Sequence, residues 1–125
     1  MAKPPRPTDA ELAILRVLWA RGPSTVRDVH EALASRDTGY TTTLKLMQIM
    51  TDKRLVVRDE SARSHVYTAR VSEASTLRQI VGDLVDRAFG GSAAALVLQA
   101  LSTRRATPGE IAEIERLIDE HKRKA

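Results

Sequence analysis

Apolar positions along this chain follow a helical period almost everywhere and a strand-like one in a single stretch. A start bearing Pro4, Pro5 and Pro7 predicts a disordered leader over residues 1–7. Thr8 then precedes Glu11 by three residues, the spacing of a capping box, and the run Leu12, Leu15, Val17, Leu18 and Trp19 predicts a first helix. Gly22 and Pro23 end it. Ser24 or Thr25 caps a second, shorter helix bearing Val26, Val29, His30 and Leu33, and Ser35 to Tyr40, with Gly39, reads as a polar turn. A third helix is predicted from about Thr41 to Lys53. On it Thr43, Leu46, Met47 and Met50 share an inward side, and Thr41, Leu44, Lys45, Gln48 and Asp52 lie opposite.

The strand-like stretch comes next. Leu55, Val56 and Val57, then Val66, Tyr67 and Thr68, bracket a polar run from Asp59 to Ser64, which predicts a two-stranded hairpin holding Arg58, Arg63 and His65 on its arms and tip. From Glu73 onward only helical spacing remains. Leu77, Ile80, Val81, Leu84, Val85 and Ala88 make one stripe, which Phe89, Gly90 and Gly91 interrupt. Ser92 caps a helix with Ala95, Leu96, Val97, Leu98 and Leu101, and Thr107, Pro108 and Glu110 open a last one with Ile111, Ile114, Leu117 and Ile118. The expected class is mainly α with a small β-hairpin. A winged helix-turn-helix domain is expected over residues 1–72 and a helical dimerisation domain over residues 73–125.

Composition narrows the function. At 125 residues the chain suits one domain or a small domain with an appendage, and 42% hydrophobic residues allow a real core. Without cysteine there are no disulfides, thiolate metal sites or cysteine nucleophiles, and a reduced, cytoplasmic setting fits best. The start lacks the apolar core of a secretion signal, and no apolar run has the roughly 20 residues needed to cross a bilayer. Aromatic residues, at 3%, are too few for stacking single-stranded nucleic acid. Residues 1–72 hold 12 Lys/Arg against 8 Asp/Glu while residues 73–125 hold 8 against 8, so the whole +4 charge sits in the first part, where a polyanion would meet it.

A basic first part and a third helix with a polar outer side point to duplex DNA, whose major groove admits one α-helix. Lys45 can donate to guanine or phosphate, Gln48 can pair with adenine, Leu44 can touch a thymine methyl, and Thr41 and Thr42 stand at the helix start. Thr41 is equally well placed to cap that helix. Arg58, Arg63 and His65 of the hairpin complete the candidate DNA-binding set as backbone or minor-groove contacts. The stripes farther along are too long for a few helices to hide alone. Leu77, Ile80, Val81, Leu84, Phe89, Leu96, Val97, Leu101 and Leu117 are therefore candidate dimerisation residues.

Enzyme signals are weak. His30-Glu31 opens like a metalloprotease motif, but Ala34 stands where the second histidine belongs, and Gly90-Gly91 lacks the Lys-Ser/Thr of a phosphate loop. No catalytic residue, metal site or cofactor is expected. The rival reading is a winged-helix adaptor that binds protein and reads no DNA.

The segments LRVLWARGPSTVRDVHEAL, YTTTLKLMQIMTDKRLVVR, HVY and FGGSAAALVLQAL together resemble the penicillinase-repressor (BlaI/MecI/CopY) family over nearly the whole chain. The resemblance implies a bacterial repressor that binds a palindromic operator as a homodimer, upstream of a resistance or stress-response gene. It also matches Thr41, Thr42, Leu44 and Lys45 to the recognition helix, although Leu44 is apolar where members often carry a basic residue. A membrane sensor-protease pathway is the implied inducing partner. Its family cleavage bond, Asn-Phe, corresponds here to Gln99-Ala100, and the cysteine-rich tail of copper-responsive members is missing.

Overall fold

The computed structural model describes residues 6–33 and 39–124. Its elements are α1 (Asp9–Arg21), α2 (Val26–Leu33), α3 (Tyr40–Asp52), β1 (Val56–Asp59), β2 (Val66–Ala69), α4 (Glu73–Ala88), α5 (Ala93–Thr103) and α6 (Pro108–Lys124). The chain separates into two compact units with their junction inside α4, between Val81 and Gly82.

In the first unit, local chemistry sets each boundary. The Thr8 hydroxyl accepts from the Glu11 N–H at 3.2 Å and the Glu11 carboxylate accepts from the Thr8 N–H at 2.9 Å, a complete capping box for α1. Of the expected leader, residues 1–5 lie outside the described residues, and Pro7 is buried. Gly22 closes α1 at φ 84°, a conformation that glycine adopts freely. For α2, of the two possible caps, Thr25 takes the role. Its hydroxyl accepts from the Asp28 N–H at 3.1 Å while its own N–H donates to the Asp28 carboxylate at 3.2 Å. Ser24 instead exchanges two backbone hydrogen bonds with Tyr67, at 2.8 and 3.0 Å, and so adds a one-residue third rung to the hairpin.

Helix α3 starts one residue earlier than expected, at Tyr40, and ends at Asp52. Gly39 is its N-cap through its backbone carbonyl, so of the two roles open to Thr41 capping falls away; Thr41 stands inside the first turn and is exposed. Most of the expected polar turn before it lies outside the described residues. At the other end, Arg54 adopts φ 65°, the Leu55 N–H donates to the Met50 carbonyl at 2.9 Å and the Arg54 N–H to that of Thr51 at 3.1 Å. This left-handed cap turns the chain directly into β1. The two strands pair antiparallel from Val56–Ala69 to Asp59–Val66, and at the tip the Asp59 carboxylate accepts from the Ser61 N–H at 2.9 Å.

The core of this unit gathers Ile14, Leu15 and Leu18 of α1, Val26 and Val29 of α2, Met47 and Met50 of α3, and Leu55, Val56 and Tyr67. Three polar ties reinforce it. The Lys53 ammonium donates to the buried Glu11 carboxylate at 2.9 and 3.1 Å, joining the end of α3 to the start of α1. The Trp19 indole N–H donates to the Val71 carbonyl at 2.9 Å, and His30 Nδ1 meets the buried Thr43 hydroxyl at 3.1 Å.

The second unit continues α4 and contains α5 and α6. Ser92 caps α5 by accepting from the Ala95 N–H at 3.0 Å, and Thr107 with Glu110 forms a second capping box, at 3.1 and 2.8 Å, before α6. Gly90 and Gly91, at φ 58° and 85°, make the break between α4 and α5. Among the described residues no side chain of α5 or α6 is buried.

Candidate nucleic-acid interface

Burial of Thr43, Met47 and Met50 fixes the rotation of α3, so that Thr41, Thr42, Lys45, Gln48 and Asp52 face solvent on its opposite side. Leu46 is half-buried against the core, as its position on the inward side requires. Leu44 differs from the outward placement expected of it. It is half-buried and packs on the same core, so only part of its side chain reaches the exposed side. Among the described residues Lys45 makes no ion pair, and its ammonium is available to an external anion.

The hairpin residues divide into two kinds. Arg58 lies within β1, half-buried, and pairs with Glu60 at 2.7 Å; Tyr67, and then Glu60, raise its guanidinium pKa above the ordinary value. That pairing keeps it occupied by its own hairpin. Arg63 and His65 are exposed on the connecting loop. They border an open cleft of about 380 Å³ whose other walls are Thr25, Val26 and Arg27 at the start of α2, and Tyr40 and Leu44 of α3.

Two residues of this surface were not singled out by the sequence pattern. Arg27 carries an exposed guanidinium on the first turn of α2, and Tyr40, also exposed, sets its ring edge-on to His30 with centroids 5.9 Å apart. The signal available for Arg27 was its place two residues after a capping threonine, at the positive end of a helix. Tyr40 carried none, because the start of α3 was placed after it.

The candidate dimerisation residues behave alike in both units. Leu77 and Val81 in the first unit, and Leu84, Val97, Leu101 and Leu117 in the second, are exposed, while Ile80, Phe89 and Leu96 are half-buried. Leu98, Ile111 and Ile118 are exposed as well, Leu98 to 70%. No single helix among the described residues is long and apolar enough to cross a membrane.

Known proteins resemble this chain in both halves. The family model described as penicillinase repressor matches residues 7–120. The transcriptional regulator BlaI of Mycobacterium tuberculosis is 46% identical over 69 residues, which cover 54% of this chain and 50% of that protein, so the chain matches about half of that relative's length. The penicillinase repressor of Bacillus licheniformis is 25% identical over 123 residues, covering 98% of this chain and 96% of its own. Among solved structures, the DNA-binding domain of the repressor BlaI in solution aligns with a TM-score of 0.51 at 24% identity, over 59% of this chain and 92% of that one. The monomeric form of Bacillus licheniformis BlaI in complex with the blaP half-operator aligns equally well. These two structures show that six helices and one hairpin here include the winged-helix fold. With the match to the family model running through nearly the entire sequence, this chain belongs to the penicillinase repressor family.

Proposed function

We propose that this protein is a cytoplasmic transcriptional repressor, not an enzyme, that binds a palindromic operator as a homodimer and controls a resistance or stress-response gene. The observation that carries this reading is the outer face of α3, where Thr41, Thr42, Lys45 and Gln48 stand exposed beside the Arg63 and His65 loop on a scaffold whose relatives are named as regulators and repressors. One solved relative is a complex with a half-operator. Threonine, lysine and glutamine side chains offer the hydrogen-bonding groups that base edges and phosphates require in a major groove. Pairing of two copies through the exposed stripes of α4, α5 and α6 supplies the second head that a palindrome demands.

For relief of repression the family resemblance suggests a membrane sensor-protease pathway, but the Asn-Phe bond that such a pathway cuts is replaced here by Gln99-Ala100. Both residues are exposed in α5, but their carbonyls accept from the Ser102 and Thr103 hydroxyls and the Arg104 N–H at 2.7, 2.9 and 3.2 Å. Cutting there requires that turn to unwind.

The test is selection of bound fragments from the source genome with the full-length protein, followed by titration of the recovered site in a mobility-shift assay. Half-sites spaced by about one helical turn or a multiple are expected. With 6 to 10 phosphate contacts, affinity should fall by roughly 10³ to 10⁵ between about 50 and 200 mM salt. Protein that recovers no duplex even at low salt acts as a protein-binding adaptor, and the repressor reading fails.

A further inference from the structure

We infer that the cleft between the start of α2, the start of α3 and the hairpin loop grips one backbone phosphate of bound DNA, with Arg27, Tyr40, Arg63 and His65 as its ligands. This rests on the repressor reading and assigns to DNA binding two residues, Arg27 and Tyr40, that lie outside the base-facing side of α3.

The composition of the cleft is the first argument. Thr25, Val26, Arg27, Tyr40, Leu44, Arg63, Ser64, His65 and Tyr67 line it, a set with two guanidiniums, an imidazole and two phenols and, among the described residues, no carboxylate. In a chain with 16 Asp/Glu, a concave site walled by three elements whose described residues carry basic groups and no acid favours an anion. The floor is firm, because Val26 and Tyr67 are buried in the core and Leu44 packs on it. The cationic groups stand on the rim, where Arg27, Arg63 and His65 are exposed.

The second argument is availability. Arg58 on the same hairpin is held by Glu60, whereas among the described residues neither Arg27 nor Arg63 makes an ion pair. The one carboxylate on the first turn of α2, that of Asp28, accepts from the Thr25 N–H. The N–H groups of Val26 and Arg27 lie too early in α2 for an acceptor within the helix, and both residues line the cleft.

The third argument is position. Tyr40 and Leu44 border the cleft from the first two turns of α3, and Thr41 and Lys45 follow each of them by one residue. A phosphate held there is a neighbour of the bases that α3 would read, and it fixes the register of the helix without selecting sequence. The cleft's volume of about 380 Å³ also admits a free phosphate ion, so the experiment separates the two sources.

Arg27→Ala, Arg63→Ala and Tyr40→Phe are made in the full-length chain; the last keeps the ring beside His30 and removes the hydroxyl. Each is titrated against a genome-selected operator duplex and an unrelated duplex over a range of salt. Each arginine variant is expected to lose about tenfold in affinity on both duplexes alike, with a salt slope shallower by about 1. The decisive arm replaces single operator phosphates by uncharged methylphosphonates. At one position the replacement should weaken the parent about tenfold and the Arg27→Ala/Arg63→Ala double variant hardly at all. Additive losses at every position overturn the inference. So does inorganic phosphate that binds the parent and not the double variant yet leaves the parent's operator affinity unchanged at constant ionic strength, since the cleft would then be a free-anion site. A parent that binds operator while both arginine variants match it rejects the cleft and leaves the repressor reading standing; a parent that binds no duplex rejects both.

Discussion

Glu11 closes the start of α1 and at the same time receives the Lys53 ammonium from just beyond α3, while only 1% of its surface remains exposed. Burial alone would raise its pKa, but hydrogen bonds from Lys53 and the Thr8 N–H outweigh that and hold the carboxyl below the ordinary value. A depressed carboxyl adds stability that is present above its unfolded value of about 4.3 and is lost as pH falls through the folded value. Denaturant titrations at about pH 6 and about pH 3 should therefore show a smaller acid loss in Glu11→Gln than in the parent. Lys53→Met leaves a buried carboxylate unpaired and should cost about 3 kcal/mol at neutral pH. If it unfolds at the parent's midpoint, the pair contributes nothing. Arg54 offers the opposite case. It occupies a left-handed position at φ 65° where glycine carries no side-chain penalty, and Arg54→Gly is expected to stabilise the fold by about 0.5 to 1 kcal/mol. A lower melting temperature in that variant would mean that the arginine side chain supports the turn more than its backbone strains it.

Element by element, what the sequence disclosed tracks how local the causes were. Caps at Thr8, Ser92 and Thr107 were legible because each depends on residues no more than three positions apart. The inward side of α3 was legible from its period, since Thr43, Met47 and Met50 are all buried. Contacts between distant residues left no such trace: the Ser24–Tyr67 rung spans 43 positions and the Trp19–Val71 bond 52, and nothing within either segment signals its partner. The same limit hid Arg27, which is brought to the hairpin loop only by the fold. Leu44 shows how a helix's edge is misread: one position from the middle of the polar side, it packs against the core instead. For the proposed DNA-reading face this makes Lys45 the sharper probe. Lys45→Ala removes an exposed ammonium without touching the core, so it should cost about 1 to 3 kcal/mol in operator affinity and leave the melting temperature alone. An unchanged mobility-shift titration would take Lys45 out of the interface.

For the molecule as a whole, the two units differ in how their apolar surface is used. The first buries ten large apolar side chains from three helices and the hairpin, whereas α5 and α6 bury none and Leu84, Val97, Leu98, Leu101, Ile111, Leu117 and Ile118 remain in contact with water. In the proposed homodimer these exposed stripes would meet an identical set, and burial returns roughly 25 cal/mol for each Å² removed from water. In such a symmetric contact each residue appears twice, so one substitution inserts two side chains. Leu84→Asp would bring two carboxylates into an apolar seam, a desolvation that no described partner offsets. The expected result is a protein of half the parent's mass in sedimentation or light scattering, with the first unit still folded as judged by Trp19 fluorescence. Because two linked heads gain from the second binding event being intramolecular, affinity for a palindromic operator should also drop by about 10² to 10⁴, while binding to an isolated half-site changes little. A Leu84→Asp chain with the parent's mass would place the seam on other residues. One that becomes monomeric yet keeps full operator affinity would show that pairing of the tails is not what joins the heads on DNA.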